Sequence, residues 1–520
     1  MSEAKEKCGI AAAFLPKPLG KYPVGGVVSY LYKMLLQQQH RGQLSAGIST
    51  YNRERMQMLD TYRGLGTINE VFHSSDHVRF EKIFEEYAGT KGIGHTRYAT
   101  SGTDDVCCAQ PFERHHGRIW KWFSFGFNGN IANFSELKLS LEKSKYHLIQ
   151  NNDTELMMHM IAKQFLGDKK VELRDAWQNM SESFDGAYEM VFLNGDDTMV
   201  ASRDPLGIRP LSYVASDEFV GAASETVALN TVSKEEPKDL QPGEMLIVEG
   251  NDTRIERYRK SDKKAFCMFE WVYFSHPSTN IEGVNVYKVR WNLGKELARI
   301  EPLEIKNGEY VVVSVPDTAR PTADGYAHTL GVRAMEGLIR NRYVGRTFIE
   351  SRHRMDKVKE KYSLNKEVLR GKKVILVDDS IVRGTTTKSV VEFIRKEGKA
   401  KEVHVRISCP PIKSPCFYGI DMSTMDELIA CRNLEETDLG DTGMAEISPK
   451  IIENIRREIG ADTLVYQSLK GLVGAIGMES GEKDLCMACL NGHYPTPTGK
   501  ELAKRAIENR GKTSAKRTYE

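Results

Sequence analysis

The sequence predicts an α+β unit followed by an α/β unit with a parallel sheet. Three observations lead there. The chain has 520 residues, more than one hydrophobic core usually serves, so two or more domains are expected. Up to about residue 245 it is rich in short β-like runs and glycine-bearing turns. From about residue 285 compact apolar strands alternate with helical stretches, the grammar of a parallel sheet.

Hydrophobic residues make up 40% and charged residues 28%, ordinary for a globular protein. The formal net charge of +2 argues against bulk binding to nucleic acid or acidic lipid, so neither is expected as a partner. No apolar run approaches the length of a membrane span, and a cytoplasmic location is expected. The chain has nine cysteines. An odd count without a secretory signal does not suggest a disulfide framework; in a reducing compartment, clustered cysteines point to metal or catalysis.

The chain opens "MSEAKEKCGIAAAFL". Cys8 stands between a charged leader, residues 1–7, and a small-residue, strand-like run. Acids in the leader, and Pro16 soon after, do not fit a secretory signal. Taken alone, the stretch reads as a frayed terminus leading into a strand with a buried cysteine. The other reading is a leader removed to expose Cys8. Further strand-like text follows in "TKGIGHTRYAT" at 90–100, "WFSFGFNGNIAN" at 122–133, "GAYEMVFLN" at 186–194 and "EMLIVEG" at 244–250. "DTELMMHMIAKQFLG" at 153–167 has apolar residues at helical spacing and a terminal glycine. "RYRKSDKKAF" at 257–266 is charged and is expected on the surface between the units. The second unit's strands are "GEYVVVSVPDT" at 308–318, "GKKVILVDDS" at 371–380 and "KEVHVRISCPP" at 401–411. The polar tail "ENRGKTSAKRTYE" is expected to be mobile.

The strongest local signal is "VILVDDSIVRGTTT" at 374–387. An apolar strand delivers Asp378 and Asp379 to its carboxyl end, where ligands of open parallel sheets bind. Ser380, Arg383 and Gly384 lie in the following turn. Gly384 lets backbone amides approach a ligand, and Thr385, Thr386 and Thr387 add hydroxyls at a helix N-terminus that favours phosphate. The acids could hold ribose hydroxyls or Mg²⁺, which prefers hard oxygen ligands. The plainer reading is a strand–turn–helix with threonine caps. Two adjacent acids at the mouth of a buried strand favour the functional one.

This stretch resembles the phosphoribosyl pyrophosphate motif of type I phosphoribosyltransferases. With "NRYVGRTFI" at 341–349 it is similar to the amidophosphoribosyltransferase family. The resemblance extends over nearly all of the chain. "CGI" at 8–10, "QHRGQLSAGI" at 39–48, "GHTRYATSG" at 94–102, "FNGNIAN" at 127–133, "NNDTE" at 151–155, "FDGAYEMVFL" at 184–193 and "SRDPLGIRPL" at 202–211 resemble an N-terminal-nucleophile glutaminase. It implies a four-layer αββα glutaminase over 8–245, a connecting segment at 246–284 and a type I phosphoribosyltransferase domain with a parallel sheet over 285–480. A C-terminal segment, 481–520, would follow, and 1–7 would be a propeptide.

The resemblance also implies roles. Cys8 would be the nucleophile, activated by its own freed α-amine, which titrates near neutral pH. Asn128 and the amide of Gly129 would form the oxyanion hole. Arg97 would grip the glutamine α-carboxylate and Asp153 its α-ammonium. Each has a structural alternative: Arg97 as a surface ion pair, Asn128–Gly129 as a hairpin turn, Asp153 as a helix cap. In the second domain, Asp378, Asp379, Ser380, Arg383, Gly384, Thr385, Thr386 and Thr387 would bind phosphoribosyl pyrophosphate, with Mg²⁺ near Thr318, Asp378 and Asp379. The family further implies a homo-oligomer, purine nucleotide feedback ligands and an internal passage for ammonia.

"CMAC" at 486–489 is a C-x-x-C pair, with Cys267 and Cys416 far off in sequence. Spacing alone leaves zinc, an iron–sulfur cluster or a redox pair open. Some members of the resembled family hold a four-iron, four-sulfur (4Fe-4S) cluster in matching contexts, which implies Cys267, Cys416, Cys486 and Cys489 as its ligands. Cys107, Cys108, Cys409 and Cys431 are expected to be unligated.

The sequence departs from the family at Leu44, where an acid is usual, at 318–332, and in "ESRHRMDKVKEKY" at 350–362, which is shorter than the pattern. These departures keep two other readings in view: an amidotransferase paralogue with another acceptor, and a phosphoribosyl- or nucleotide-binding regulator.

Overall fold

Two stacked antiparallel sheets make the first unit. The structure, a computed structural model, describes residues 8–98, 105–150, 152–341, 354–422, 424–433 and 447–511. The expectations for the leader 1–7, for the first part of the shortened loop and for the end of the tail lie outside these residues. One sheet runs, edge to edge, through Lys238–Asp239, Ser212–Ala215, Val220–Ala223, Gly9–Phe14, Lys91–Arg97, Ser45–Tyr51 and Leu59–Leu65. The other runs through Asp252–Arg257, Glu244–Glu249, Thr198–Ser202, Gly186–Asn194, Phe123–Ile131 and Phe112–Arg114.

Period-two alternation sorts the side chains of these strands into separate apolar layers. Along Gly9–Phe14, Ala11 and Ala13 face the helix Val27–Gln37, whereas Ile10, Ala12 and Phe14 pack between the sheets against Val191 and Leu193. On the far side of the second sheet, Phe123, Phe125 and Phe127 pack under Leu156, Met157, Ile161 and Trp177 of the outer helices. Helix, sheet, sheet and helix therefore stack as four layers, the αββα arrangement expected.

The same alternation corrects the boundary at 245. Met245 and Ile247 point to the helix-covered side of the second sheet, Leu246 and Val248 to the space between the sheets. The hairpin they begin, Glu244–Glu249 with Asp252–Arg257, is thus part of the first unit's sheet, beyond the expected end. The rest of the connecting segment goes the other way. Phe266, Met268, Phe269, Trp271 and Phe274 are buried in the core of the second unit.

That unit is a four-stranded parallel sheet, ordered Tyr310–Ser314, Lys373–Asp378, Glu402–Ile407 and Thr463–Tyr466. The first three are the strands expected from the sequence. The fourth is short and half-exposed at alternate positions, too weak a pattern to read unaided. Both faces are covered, which is why "KVILVD" is apolar without alternation. Ile375 and Val377 pack with Leu297 and Tyr326 of the helices Val286–Arg299 and Arg320–Leu330. Val374 and Leu376 face a larger core that includes Cys489, Leu490, Tyr494 and Leu502. The divergent stretch at 318–332 therefore supplies a packed helix. The described part of the shortened loop forms the helix Arg354–Lys361 and the short strand Tyr362–Leu364. The C-terminal segment closes on the same core. Leu485–Cys486 pairs in parallel with Phe266–Cys267.

A buried charge network joins the units. Arg41 donates to Glu225 and Glu270 and, at 3.1 Å, to Ser275 Oγ. Arg209 donates to the other oxygen of Glu270 at 3.0 Å. Glu225 also accepts from His40 at 2.7 Å, from the His276 amide at 2.8 Å and from Thr279 Oγ1 at 2.8 Å. Burial pushes both carboxyls up, but opposing charges win: His40 and Arg41 hold Glu225 well below the usual range, and Arg41 and Arg209 hold Glu270 down.

Arg41→Met should leave two buried carboxylates short of a cation and cost about 3–5 kcal/mol, read by urea unfolding. Folded values depressed in this way stabilise above the unfolded glutamate value of about 4.3 and lose that stability as pH falls through the folded values. Wild-type stability should therefore drop steeply below that pH, and the variant's profile should be flatter.

Candidate active sites

The first site forms where the two sheets of the first unit meet. Cys8 is half-buried, one residue before the central strand Gly9–Phe14. The register pairs Gly9 with Thr96, so Arg97, the next residue, lies beside the Cys8 end of the strand. Arg97 is 5% exposed, which rules out the surface ion pair considered for it. Asn128 and Gly129 lie inside Phe123–Ile131, paired with Glu189 and Tyr188, and form no hairpin turn. Gly129 has φ +142°, and a Cβ there would lie 1.9 Å from the Ala187 carbonyl oxygen. Only glycine fits this backbone. Asn128 Nδ2 is buried with no hydrogen-bond partner among the described residues. The strand thus presents an unengaged amide donor next to a glycine of special backbone geometry.

Two side chains tie these parts together. His95 Nε2 lies 3.0 Å from the Phe127 carbonyl oxygen, across the two sheets. Burial pushes His95 down to about 3. The ring is thus neutral at physiological pH and, because a carbonyl only accepts, carries its proton on Nε2. Gln110 accepts from the Phe127 amide at 2.8 Å and donates to Thr154 Oγ1 at 3.2 Å. That bond links the Asn128 strand to the helix Asp153–Gln164. Asn152 caps this helix, its Oδ1 accepting from the Glu155 amide at 2.8 Å. Asp153 is therefore the first helical residue and not its cap. At Leu44 it is the main chain that serves the site: its amide donates to the Arg97 carbonyl at 3.0 Å and its carbonyl accepts from Gly66 at 2.7 Å. The side chain there has no such constraint.

The second site lies at the carboxyl edge of the parallel sheet. Lys373–Asp378 ends in Asp378, whose Oδ1 accepts from the Asp379 amide at 2.9 Å. Asp379 is buried; it accepts from Thr318 on one oxygen and from Ser380 Oγ at 2.8 Å on the other. Thr318 thus comes from the end of the adjacent strand to the acid it was expected to join. Gly384 takes a left-handed φ of +78° and starts the helix Thr385–Lys396, which places Thr385, Thr386 and Thr387 in its first turn. Arg383 pairs with Glu427 and donates to the Asp421 carbonyl at 3.4 Å. Arg290, which no motif marks, is buried; burial lowers its pKa to about 10, against the opposing charge of Asp379. It donates to the carbonyls of Trp271 at 2.9 Å and Ser275 at 2.8 Å. An arginine on the otherwise apolar face of Val286, Val289, Leu293 and Leu297 was the signal available for it.

The four cysteines expected together lie in one region of the second unit. Cys267 and Cys486 are partners in the parallel bridge. Cys416 accepts from the Tyr418 amide at 3.4 Å through its sulfur. The carbonyl of Cys489 accepts from the amides of Lys413 and Ser414 at 2.9 and 3.1 Å. Burial pushes the Cys267 thiol up to about 12, and the thiols of Cys267, Cys416, Cys486 and Cys489 lie within electrostatic reach of one another, with Arg209 beside them. Among the described residues, no three His, Cys, Asp or Glu side chains converge at the spacing of a single metal ion. Cys431 donates to the Lys413 carbonyl at 2.9 Å, Cys108 is buried and Cys107 is exposed. Among the described residues no helix is long and apolar enough to cross a membrane.

A glutamine amidotransferase domain model matches residues 95–231, and a phosphoribosyl transferase domain model matches residues 291–414. The amidophosphoribosyltransferase of Methanothermobacter thermautotrophicus is 40% identical, over 97% of each chain. That of Bacillus subtilis is 38% identical, over 88% of this chain and 89% of its own. A solved structure of the glutamine phosphoribosylpyrophosphate amidotransferase from B. subtilis, complexed with ADP and GMP, superposes with a TM-score of 0.79 at 35% identity. It covers 94% of this chain and 98% of its own. With both domain models in one polypeptide and relatives of this kind matched over most of their length, the chain belongs to the amidophosphoribosyltransferase family.

Proposed function

We propose that this chain makes 5-phosphoribosylamine from glutamine and phosphoribosyl pyrophosphate by dividing the work between its two sites. The observation that carries the reading is the unpartnered Nδ2 of Asn128 beside the strand of Cys8, in the same chain as the acid pair and glycine–threonine turn at 378–387. In the first site the Cys8 sulfur attacks the glutamine carboxamide carbon. Asn128 and the Gly129 amide take the developing oxyanion. The C–N bond breaks, ammonia leaves, and water cleaves the thioester to glutamate. Arg97 and Asp153 hold the two charged ends of the substrate.

In the second site ammonia attacks C1 of phosphoribosyl pyrophosphate, and pyrophosphate departs with the electron pair of the C1–O bond. Gly384, Thr385, Thr386 and Thr387 present amides and hydroxyls to the 5-phosphate, while Asp378 and Asp379 orient the ribose hydroxyls. Ser380 and Arg383 complete the turn. Mg²⁺ would be held near Thr318, Asp378 and Asp379 and, when bound, offsets the charge of the leaving pyrophosphate. Two carboxylates suffice for an ion that keeps waters and takes substrate oxygens.

Cys267, Cys416, Cys486 and Cys489 fit a four-iron, four-sulfur cluster. Four thiols within electrostatic reach of one another, with the Arg209 guanidinium alongside to offset thiolate charge, support a thiolate-bound group there. The ADP and GMP in the B. subtilis structure support purine nucleotides as feedback ligands. A homo-oligomer in the cytoplasm, with residues 1–7 removed, completes the reading.

Synthesis measured with each nitrogen donor tests the division. Cys8→Ala should lose glutamine-dependent synthesis and keep synthesis from added ammonia. N-terminal sequencing of active protein should begin at Cys8, because the amine is an amide while Lys7 precedes it and cannot act as a base. Full glutaminase activity from an uncleaved chain contradicts this.

Asp379→Asn should abolish phosphoribosyl transfer and leave basal glutamine hydrolysis intact in a protein folded by circular dichroism. Equal loss of both activities would refute the separation of sites.

Anaerobically purified protein should contain about one four-iron cluster per chain, with matching acid-labile sulfide. Stoichiometric zinc without sulfide would replace the cluster with a structural zinc site.

A further inference from the structure

Three successive residues of the second unit dock on the first, two of them on the strand that carries Asn128 and Gly129 and the one between on Arg209. Asn130 Nδ2 donates to the Phe417 carbonyl at 2.9 Å. Arg209 Nη2 donates to the Tyr418 carbonyl at 3.0 Å. Gly419, at φ +97°, lies against Gly129: a methyl group on it would sit 3.3 Å from the Gly129 carbonyl carbon, 3.4 Å from its Cα and 2.9 Å from Arg209 Nη2. The turn itself is held. The Cys416 amide donates to the Met422 carbonyl at 2.8 Å, and Tyr418 Oη lies 2.9 Å from Thr496 Oγ1.

We propose that the turn Phe417–Gly419 is the positioning element of the oxyanion hole, so that glutamine hydrolysis in the first unit depends on a backstop supplied by the second. This rests on reading Asn128 and Gly129 as the oxyanion donors. An oxyanion donor lowers the barrier only to the extent that it need not reorganise as charge develops. Gly129 has no side chain to lock it, and its φ lies where only glycine is comfortable. On one side the strand is held by its pairing with Ala187 and Tyr188. On the other, Gly419 lies close to Gly129 and Asn130 is bonded to Phe417. Both contacts fall immediately after the Asn128–Gly129 peptide that has to stay still. Arg209 makes the arrangement stiff. It is buried, its amide donates to Glu189 Oε1 at 3.1 Å, and Glu189 is the cross-strand partner of Asn128. Asn130, Arg209 and Gly419 are thus positioning residues, and none is asked to touch substrate.

The test uses the full chain with Asn130→Ala, Gly419→Ala and, as a reference, Asn128→Ala. For Asn130→Ala, kcat for glutamine hydrolysis should fall about 10- to 100-fold, the scale for a misplaced catalytic group. KM for glutamine should change by no more than about twofold, as for an interaction made in the transition state. Inhibition by glutamate γ-semialdehyde, whose tetrahedral adduct with the thiol needs the same donors, should weaken by the same factor as kcat. Inhibition by glutamate, and ammonia-dependent synthesis, should hold. Gly419→Ala perturbs the turn from the opposite side and should reproduce the pattern, which keeps the test open should Asn130→Ala fail to fold. Wild-type kcat in both variants, with Asn128→Ala impaired, would overturn the positioning role alone. Parallel loss of ammonia-dependent synthesis would also overturn it, since the turn would then be general scaffold. Wild-type kcat in Asn128→Ala would instead refute the oxyanion reading on which the proposal stands.

Discussion

The buried ion network of Arg41, Glu225, Glu270 and Arg209 is the constraint on which the rest depends. Each of the four is almost fully shielded from water, and none of them could be buried alone without a large desolvation cost. Arg41 comes from the turn after the first helix, Glu225 and Arg209 from elsewhere in the first unit, and Glu270 from the segment that enters the second. The network can be complete only when these four stretches have docked. Burial of Phe266, Trp271 and Phe274 in the second core follows from the same docking. The network also carries Arg209 to the carbonyl of Tyr418 and to the neighbourhood of the four cysteines.

From there the two sites share supporting structure. The stretch that begins at Cys416 first meets the Asn128 strand, through Phe417 and Gly419. A few residues on it meets the phosphate turn. Glu427 pairs with Arg383, the Ile429 amide donates to the Val382 carbonyl at 2.8 Å, and the end of the Ile429 side chain lies over Gly384. The left-handed φ at position 384 favours glycine, and a side chain there would also displace the end of Ile429. Arg290 adds a further link, set between Asp379 and the carbonyls of Trp271 and Ser275.

What could be read from the sequence follows a physical divide. Strands buried on both faces, such as "VVV" at 311–313 and "VILV" at 374–377, announce themselves by composition. The phosphate turn is also local: strand, acids, glycine and threonines are consecutive, so their geometry is set by one strand–turn–helix. Cys8 was ambiguous, because the meaning of a thiol there depends on Arg97, brought beside it by register, and on Asn128, carried by the other sheet. The boundary at 245 failed because a change of composition was taken for the end of a sheet, while the alternation of Met245, Leu246, Ile247 and Val248 continues across it. The capping role considered for Asp153 belongs to Asn152, a shift of one residue that polar text such as "NND" does not resolve. The partners of Arg41, Arg209 and Arg290 were beyond reach, since an isolated arginine carries no sign of what it will meet.

The parallel bridge between Phe266–Cys267 and Leu485–Cys486 has a consequence for the order in which the protein is made. Synthesis proceeds from the N-terminus, and domains generally fold as units while the chain emerges. The first unit is complete once the hairpin ending at Arg257 has left the ribosome. Phe266, Met268, Phe269 and Trp271 emerge soon after, yet part of their covering, from Leu485 onward, follows only after the whole parallel sheet. For most of the translation of the second unit, a ready-formed glutaminase sandwich trails an apolar strip that has not yet been covered. That interval is when the nascent chain is most exposed to aggregation, and it ends when the closing segment arrives.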